Sequence, residues 1–502
     1  MNHDLTFARA YEQEAGGKIP AASRPVFHLT PLTGWMNDPN GFSCYGGQYH
    51  LFYQYYPYDT HWGSMHWGHA VSHDLLRWTH LPAALAPDQP YDSCGCFSGS
   101  AIGLKDGRQL LMYTGVCEED GGRERKIQTQ CLAVGDGLDY VKYAGNPVLD
   151  GSDLPEGLSS RDFRDPKIWR TEDGGFRCVV GAKGADRLGR LLMFRSEDGF
   201  SWRFESVLVQ NDGRFGRMWE CPDFFSLDGK HVVLVSPQDM LPEGFEYHNG
   251  NGTVCLTGTF DEQTKRFIPE HDQAIDCGID FYAPQTLLTP DGRRVMIGWM
   301  QNWETCKPAE RDEERPWFGQ MSLPRELSVR NGRLYQQPVR ELVLHRGRKV
   351  EYQDVHLCKE TVPEGIEGRV AELEIRLRPE DPQNPYHRFV MRFAQNEQYH
   401  CSLSYQPRES LLQIDRRFSG SRRDMIHQRC CQAADHGGEI RLRVILDRFS
   451  AEVFVNDGEQ VMTAVIPTDP DARGISFAAE GRAIMDLTKY SLLSGISGGG
   501  TV

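Results

Sequence analysis

Three acidic residues in this 502-residue chain occur in short blocks that share a spacing rule. Asp38 lies in Trp35-Met36-Asn37-Asp38-Pro39-Asn40-Gly41, Asp165 in Phe163-Arg164-Asp165-Pro166-Lys167, and Glu220 in Trp219-Glu220-Cys221-Pro222-Asp223. Eight residues after each acid comes a turn pair (Gly46-Gly47, Asp173-Gly174 or Asp228-Gly229), followed by an apolar run. Carboxylates brought to one place suit work on a glycosidic bond, where one acid protonates a leaving oxygen and a carboxylate attacks or stabilises the sugar cation. Taken singly, each block has a plainer reading. Asn, Asp, Pro and Gly form turns, so the first block read by itself is a turn, and any one of the acids is structural.

The elements that would position the acids are visible in the repeat itself. Ser98, in Phe97-Ser98-Gly99-Ser100, stands eight residues before Asp106-Gly107, and Ala283, in Phe281-Tyr282-Ala283-Pro284, stands eight before Asp291-Gly292. Each of the five units reads as strand, glycine-containing hairpin turn, strand. The turns recur at intervals of 60, 67, 55 and 63 residues. A fixed supersecondary unit at such a period marks a propeller or solenoid, and a four-stranded blade of about 40–50 residues leaves room for long functional loops. Ser72-His73-Asp74-Leu75-Leu76-Arg77-Trp78 and Ser196-Glu197-Asp198-Gly199-Phe200-Ser201-Trp202 add a second echo, Ser-x-Asp-x-x-x-Trp. Asp-Gly turns are common in any all-β protein, but the constant offset in five units argues for five blades. Equivalent positions of a radial repeat surround one axis. Asp38, Asp165 and Glu220 of units one, three and four would therefore converge, with Ser98 and Tyr282 beside them.

These blocks resemble the signature motifs of glycoside hydrolase family 32, the β-fructofuranosidases, which comprise invertases, sucrose-6-phosphate hydrolases and fructan hydrolases. Trp67-Gly68-His69-Ala70, Phe97-Ser98-Gly99-Ser100, Phe281-Tyr282-Ala283-Pro284-Gln285 and Leu323-Pro324-Arg325-Glu326-Leu327 extend the match over roughly residues 26 to 342. The resemblance implies an all-β chain: a five-bladed β-propeller over 26–342 followed by a C-terminal β-sandwich over 351–493. It implies retaining hydrolysis that releases terminal β-D-fructofuranosyl groups, with Asp38 as nucleophile, Glu220 as general acid and then base, and Asp165 as transition-state stabiliser. It places Asn37, Gln54, Trp62, Phe97, Ser98, Arg164, Tyr282 and Trp299 around the sugar. With Asp38 and Asp165 both ionised nearby, Glu220 is the acid expected to be pushed toward protonation. A fructosyltransferase or fructan exohydrolase would carry the same acids, and a catalytically silent sugar-binding propeller is the remote alternative.

One departure stands out. Gln54-Tyr55-Tyr56-Pro57 has Tyr56 where the family usually has Asn, so the preference for the leaving group does not carry over. The choice among sucrose, sucrose 6-phosphate and short fructo-oligosaccharides stays open. Arg123, Arg125 and Lys126, or Arg214 and Arg217, are candidates to bind a phosphate, although solvated loops are the plainer reading. His61, His66, His69, His73 and His80 cluster in sequence, but no companion acidic motif accompanies them and the chemistry needs no metal or cofactor.

A formal net charge of −15 argues against nucleic acid and membrane as partners. The polar segment from Met1 to Gly16, with a short helix expected over Asp4 to Gln13, has no apolar core for a signal peptide. No run approaches the roughly 18 apolar residues of a membrane span. Fourteen scattered Cys suggest reduced thiols and a cytoplasmic protein, a secreted disulfide framework being the rival. A basic linker is expected near Glu341 to Arg348. Beyond it, alternation in Glu372–Arg378, His387–Phe393, Tyr399–Tyr405 and Glu439–Ile445, with a hairpin signal at Asn456-Asp457-Gly458, predicts the sandwich, read as structural support rather than a sugar binder. Ser494 to Gly500 is flexible by composition. Oligomeric state is open, a homodimer being one option.

Overall fold

The computed structural model describes residues 4–118, 126–306, 315–420 and 425–492. The segment from Ser494 to Gly500 lies outside them. Five four-stranded antiparallel units follow one another. Their first strands are Gly34–Tyr45, Gly95–Gly103, Leu158–Arg170, Trp219–Leu227 and Tyr282–Leu288, here called the inner strands of blades I to V. Each inner strand packs on the next, and that of blade V packs on that of blade I, so the ring closes. Trp317–Phe318 adds a parallel edge to blade I at Gly34 and Trp35. All five expected hairpins join a first strand to a second. Gly46, Gly47, Gly107, Gly174, Gly229 and Gly292 take positive φ there, the conformation that tight turns require.

The acid blocks are not turns. They lie inside the inner strands, and every inner strand carries a register break at the same place. The breaks fall between Met36 and Pro39, Phe97 and Gly99, Arg164 and Lys167, Glu220 and Asp223, and Tyr282 and Gln285. Proline has no N–H to give to a ladder, and Pro39, Pro166, Pro222 and Pro284 each fall at a break. A β-bulge sharpens the twist and re-aims a side chain. Asp165, Cys221 and Ala283 take positive φ, at 68°, 47° and 52°. Turn-forming residues therefore place five bulges around one axis, and the bulges present the side chains.

The sandwich stacks a six-stranded sheet on a five-stranded one around a single core, with Phe389, Phe477, Leu373 and Val444 among its fully buried members. The expected basic linker is instead a 3-10 helix, Arg340–His345, running directly into the strand Arg346–Leu357. Leu342 is buried, and Arg346 donates to Glu372 at 2.6 Å, which ties that segment down. The two domains are pinned by buried charge. Fully buried Arg325 meets Glu452 of the sandwich at 2.7 Å and Asp276 at 3.0 Å, and His28 lies 2.9 Å from both Asp447 and Glu452. Losing one partner of such a buried pair costs about 3–5 kcal/mol, so the interface holds the domains in one orientation. No helix among the described residues is long and apolar enough to cross a membrane.

Candidate active site

The bulges bring Asp38, Asp165 and Glu220 together, as their equivalent positions require. Ser98 Oγ donates to Asp38 Oδ2 at 2.8 Å. The Cys221 thiol lies 3.5 Å from the same oxygen and 3.7 Å from Asp165 Oδ2, which also accepts the Cys221 N–H at 2.9 Å. Asp38 Oδ1 is buried and makes no hydrogen bond. The backbone N–H of Asp165 donates to Thr114 Oγ1 at 2.9 Å, which holds its strained bulge. Glu220 is gripped from two sides, accepting from Arg164 Nε at 3.0 Å and from the Tyr282 hydroxyl at 2.7 Å.

Burial and like charge set the electrostatics. The Asp38 carboxyl is pushed up to about 6, first by desolvation and then by the charge of Glu220, while hydrogen bonds from Ser98, Asn37 and Cys221 oppose the rise. Asp165 is also pushed up, by desolvation first. Arg164 opposes that rise, and Glu220 and Asp38 add to it. Burial and the surrounding carboxylates push the Cys221 thiol far up, so it stays protonated as a donor. The upward push falls on both Asp38 and Asp165, the two acids shielded from water. Asp38 and Asp165 therefore resist full ionisation into the neutral range.

The other expected site residues take distinct places. Trp62 is 43% exposed, edge-on at 5.9 Å to Phe97, the chain neighbour of Ser98, with Lys126 Nζ 5.8 Å from its ring centre. Asn37 is fixed by the Trp35 indole N–H at 2.7 Å, and buried Gln54 donates to the Cys96 carbonyl at 2.9 Å. Trp299 is fully buried, packing on Trp35 at 5.9 Å and Trp303 at 5.1 Å, so it backs the wall formed by Trp35. Tyr56 lies against Gly63, where a Cβ would come within 2.7 Å of its ring. The loop carrying Trp62 therefore closes over Tyr56 only because residue 63 is glycine. Tyr58 meets it edge-on and receives Phe7 and Tyr11 from the N-terminal helix Leu5–Gly16.

The sequence profile of the glycosyl hydrolases family 32 N-terminal domain matches residues 28–338, and that of the family's C-terminal domain matches 341–492. The chain belongs to glycosyl hydrolase family 32. It is 38% identical over 475 residues to a sucrose-6-phosphate hydrolase of Escherichia coli, covering 92% of this chain and 93% of that one. It is 36% identical over 502 residues to a raffinose invertase of the same organism, covering 97% and 98%. Its fold matches a GH32 β-fructofuranosidase of Bombyx mori with a TM-score of 0.82 at 35% identity, covering 97% of this chain and 98% of that one. It matches a sucrose-6-phosphate hydrolase from Lactobacillus gasseri with a TM-score of 0.84 at 27% identity, covering 98% and 96%. As a family 32 member the chain is a glycoside hydrolase that releases fructosyl groups, on a propeller followed by a β-sandwich.

Three residues of this family 32 site escaped the sequence reading. Cys221 bridges two of the acids, and its signal was its place inside the Glu220 block. Thr114 and Gln128 support the bulge of blade III from blade II, the latter accepting the Phe163 N–H at 2.8 Å and Arg164 Nη1 at 3.3 Å. Nothing in the sequence pointed to those two. Each of the five clustered histidines has a protein partner, such as His69 with His50 at 3.0 Å and His61 with Asp59 at 3.0 Å. Among the described residues no group of three His, Cys, Asp or Glu is placed to hold a metal.

The raised Asp38 carboxyl gives a pH prediction. A nucleophilic carboxylate works ionised, so kcat/KM should fall tenfold per unit as pH drops below about 6. Ser98→Ala removes a hydrogen bond to the ionised form and should move this acid limb to higher pH. A limb near pH 4, or one that Ser98→Ala leaves in place, would show that Asp38 is not the titrating group.

Proposed function

We propose that the chain hydrolyses the β-fructofuranosyl bond of sucrose and its 6-phosphate by double displacement with retention. The observation that carries this is the asymmetry of Asp38: Oδ2 is fixed by Ser98, while Oδ1 is buried and without a hydrogen bond. An oxygen without a donor keeps its lone pairs for attack at the fructosyl C2. Glu220, oriented by Arg164 and Tyr282, protonates the leaving oxygen and later deprotonates water. Asp165 faces the developing cation as an ionised carboxylate. Asn37 and Arg164 offer donors to the sugar hydroxyls, and Trp62 with Phe97 forms an exposed aromatic face on which the leaving sugar stacks.

The phosphate is the finer question. Of the candidate cations, Arg214 is occupied by Glu243 at 2.9 Å and Asp272 at 2.8 Å, and Arg123 and Arg125 lie outside the described residues. Lys126, with its Nζ 5.8 Å from the Trp62 ring centre, is the cation we assign to the phosphate of the leaving group. Buried cysteines such as Cys96, Cys178, Cys221 and Cys255 carry free thiols, which suits a cytoplasmic enzyme acting on imported sugar. Fructose release is the test. The kcat/KM for sucrose 6-phosphate should exceed that for sucrose, and Lys126→Ala should lower the phosphorylated substrate about tenfold, the size of a lost charge-assisted contact, while sparing sucrose. Equal values for both substrates, unchanged in the variant, would remove the phosphate reading. A preponderance of fructosyl transfer at low substrate concentration would favour a transferase.

A further inference from the structure

The far end of the propeller channel holds a second constellation that hydrolysis does not use. Beneath the acids a belt of polar contacts crosses the axis. Ser100 Oγ donates to the Pro166 carbonyl at 2.7 Å, Gln285 Nε2 to the Gly99 carbonyl at 2.8 Å, and Lys167 Nζ to the Thr286 carbonyl at 2.6 Å. Beyond the belt, where the inner strands end, opens a cavity of about 1080 Å3 that none of the three acids lines.

Its charge is at odds with the chain. The protein carries −15 overall, yet six Lys and Arg line this cavity against four carboxylates. Four of the six cations are matched. Lys167 meets Asp223 at 2.9 Å, Arg177 meets Glu205 at 2.9 Å, Arg195 meets Asp173 at 2.7 Å, and Lys265 pairs with Glu262. Arg170 and Arg294 have no carboxylate within 4.0 Å among the described residues. Each is held by stacking instead. The Arg170 guanidinium lies 4.7 Å from the centre of the Phe176 ring, and that of Arg294 lies 4.5 Å from the centre of Phe225. Each spends one N–H on the protein, Arg170 on the Gly103 carbonyl at 2.8 Å and Arg294 on Thr286 Oγ1 at 3.4 Å. A guanidinium has five N–H donors and stays charged, so each has most of its donors left over.

Arg294 is the sharper case. Burial works against its charge, and Asp223, which would offset this, is already bonded to Lys167 and to Thr286. Lys167, Arg294 and Asp223 together leave one buried positive charge in excess. A pre-oriented guanidinium on an aromatic ring, facing a roomy cavity, is the arrangement that takes phosphate through paired N–H donors. We propose that this far mouth binds a phosphate dianion, free or as a monoester, with Arg294 as its anchor and Arg170 as a second donor.

Inorganic phosphate and glucose 6-phosphate are the probes, read by the thermal midpoint of the full chain and by calorimetry. A ligand held only by the native state raises Tm, and at about 100 times its Kd it adds about 2.7 kcal/mol. Both probes should raise Tm if the site reads the phosphate group. A rise with glucose 6-phosphate only would place the site's preference on monoesters. The rise should persist when the catalytic end of Asp38→Asn is saturated with sucrose. Arg294→Met and Arg170→Met should each weaken binding about tenfold or more, while sucrose hydrolysis at fixed ionic strength stays unchanged. Arg170→Met carries the test if the Arg294 variant does not fold. The proposal is overturned by no rise with either probe, by a rise that sucrose abolishes, or by a rise that either folded variant retains in full.

Discussion

Asp38→Asn is expected to lower kcat by on the order of 10⁴–10⁶, the scale on which removing a nucleophile from a preassembled group is felt. The amide is nearly isosteric, and its carbonyl oxygen can still accept from Ser98, so the loss would be chemical rather than structural. Stability should move the other way. The folded Asp38 carboxyl is raised above its unfolded value of 3.8, so its ionisation costs stability as pH rises from about 4 through about 6. The cost, discounted for water at the site mouth, is about 1–2 kcal/mol. The Asn variant escapes it, and its Tm at pH 7 should be about 1–3 °C above that of the parent, with the difference vanishing near pH 4. Asp165→Asn should cost about 10³ in kcat, the size of one lost electrostatic stabiliser, since an Asn carbonyl can still accept the Cys221 N–H. Near-normal turnover in Asp38→Asn would overturn the nucleophile assignment.

Blade number and site composition were legible in the sequence for one reason: both are written at positions that repeat. The hairpin turns of all five blades carry glycine at positive φ, and a backbone constraint of that kind marks its own place. The acids were found because they stand at one fixed distance from those turns. What the sequence concealed is set by pairing across the fold. Asp38-Pro39-Asn40-Gly41 has turn chemistry, yet ladder bonds on either side make it a bulged strand, the tertiary partner overriding local preference. The grip of Arg164 and Tyr282 on Glu220 depends on contacts between blades. That Trp299 would be fully buried against Trp35 and Trp303 was likewise not written in its own block. Thr114 and Gln128 belong to neighbouring strands of another blade, where no spacing rule reaches.

Glu220→Ala is expected to lose both leaving-group protonation and activation of water, each worth roughly 10²–10⁴ in rate. The structure shows what would remain. Arg164 Nε, which holds the carboxylate at 3.0 Å, would be left facing a vacated pocket, and the Tyr282 hydroxyl, which holds it at 2.7 Å, would keep only the Ser236 carbonyl at 3.1 Å. A cationic donor beside a space the size of a carboxylate forms an anion slot next to the fructosyl–Asp38 ester. Azide should enter it and, needing no general base, attack the ester where water cannot. Turnover of the variant should therefore rise with azide concentration and yield β-fructosyl azide, the anomer of the substrate, after two inversions. Asp223 cannot stand in as the base, because it is fully buried, paired with Lys167 and bonded to Thr286. An α-anomeric azide would mean a single displacement and end the covalent role of Asp38. No response to azide in a folded variant would withdraw the acid–base role from Glu220, since the slot and the ester would both be in place.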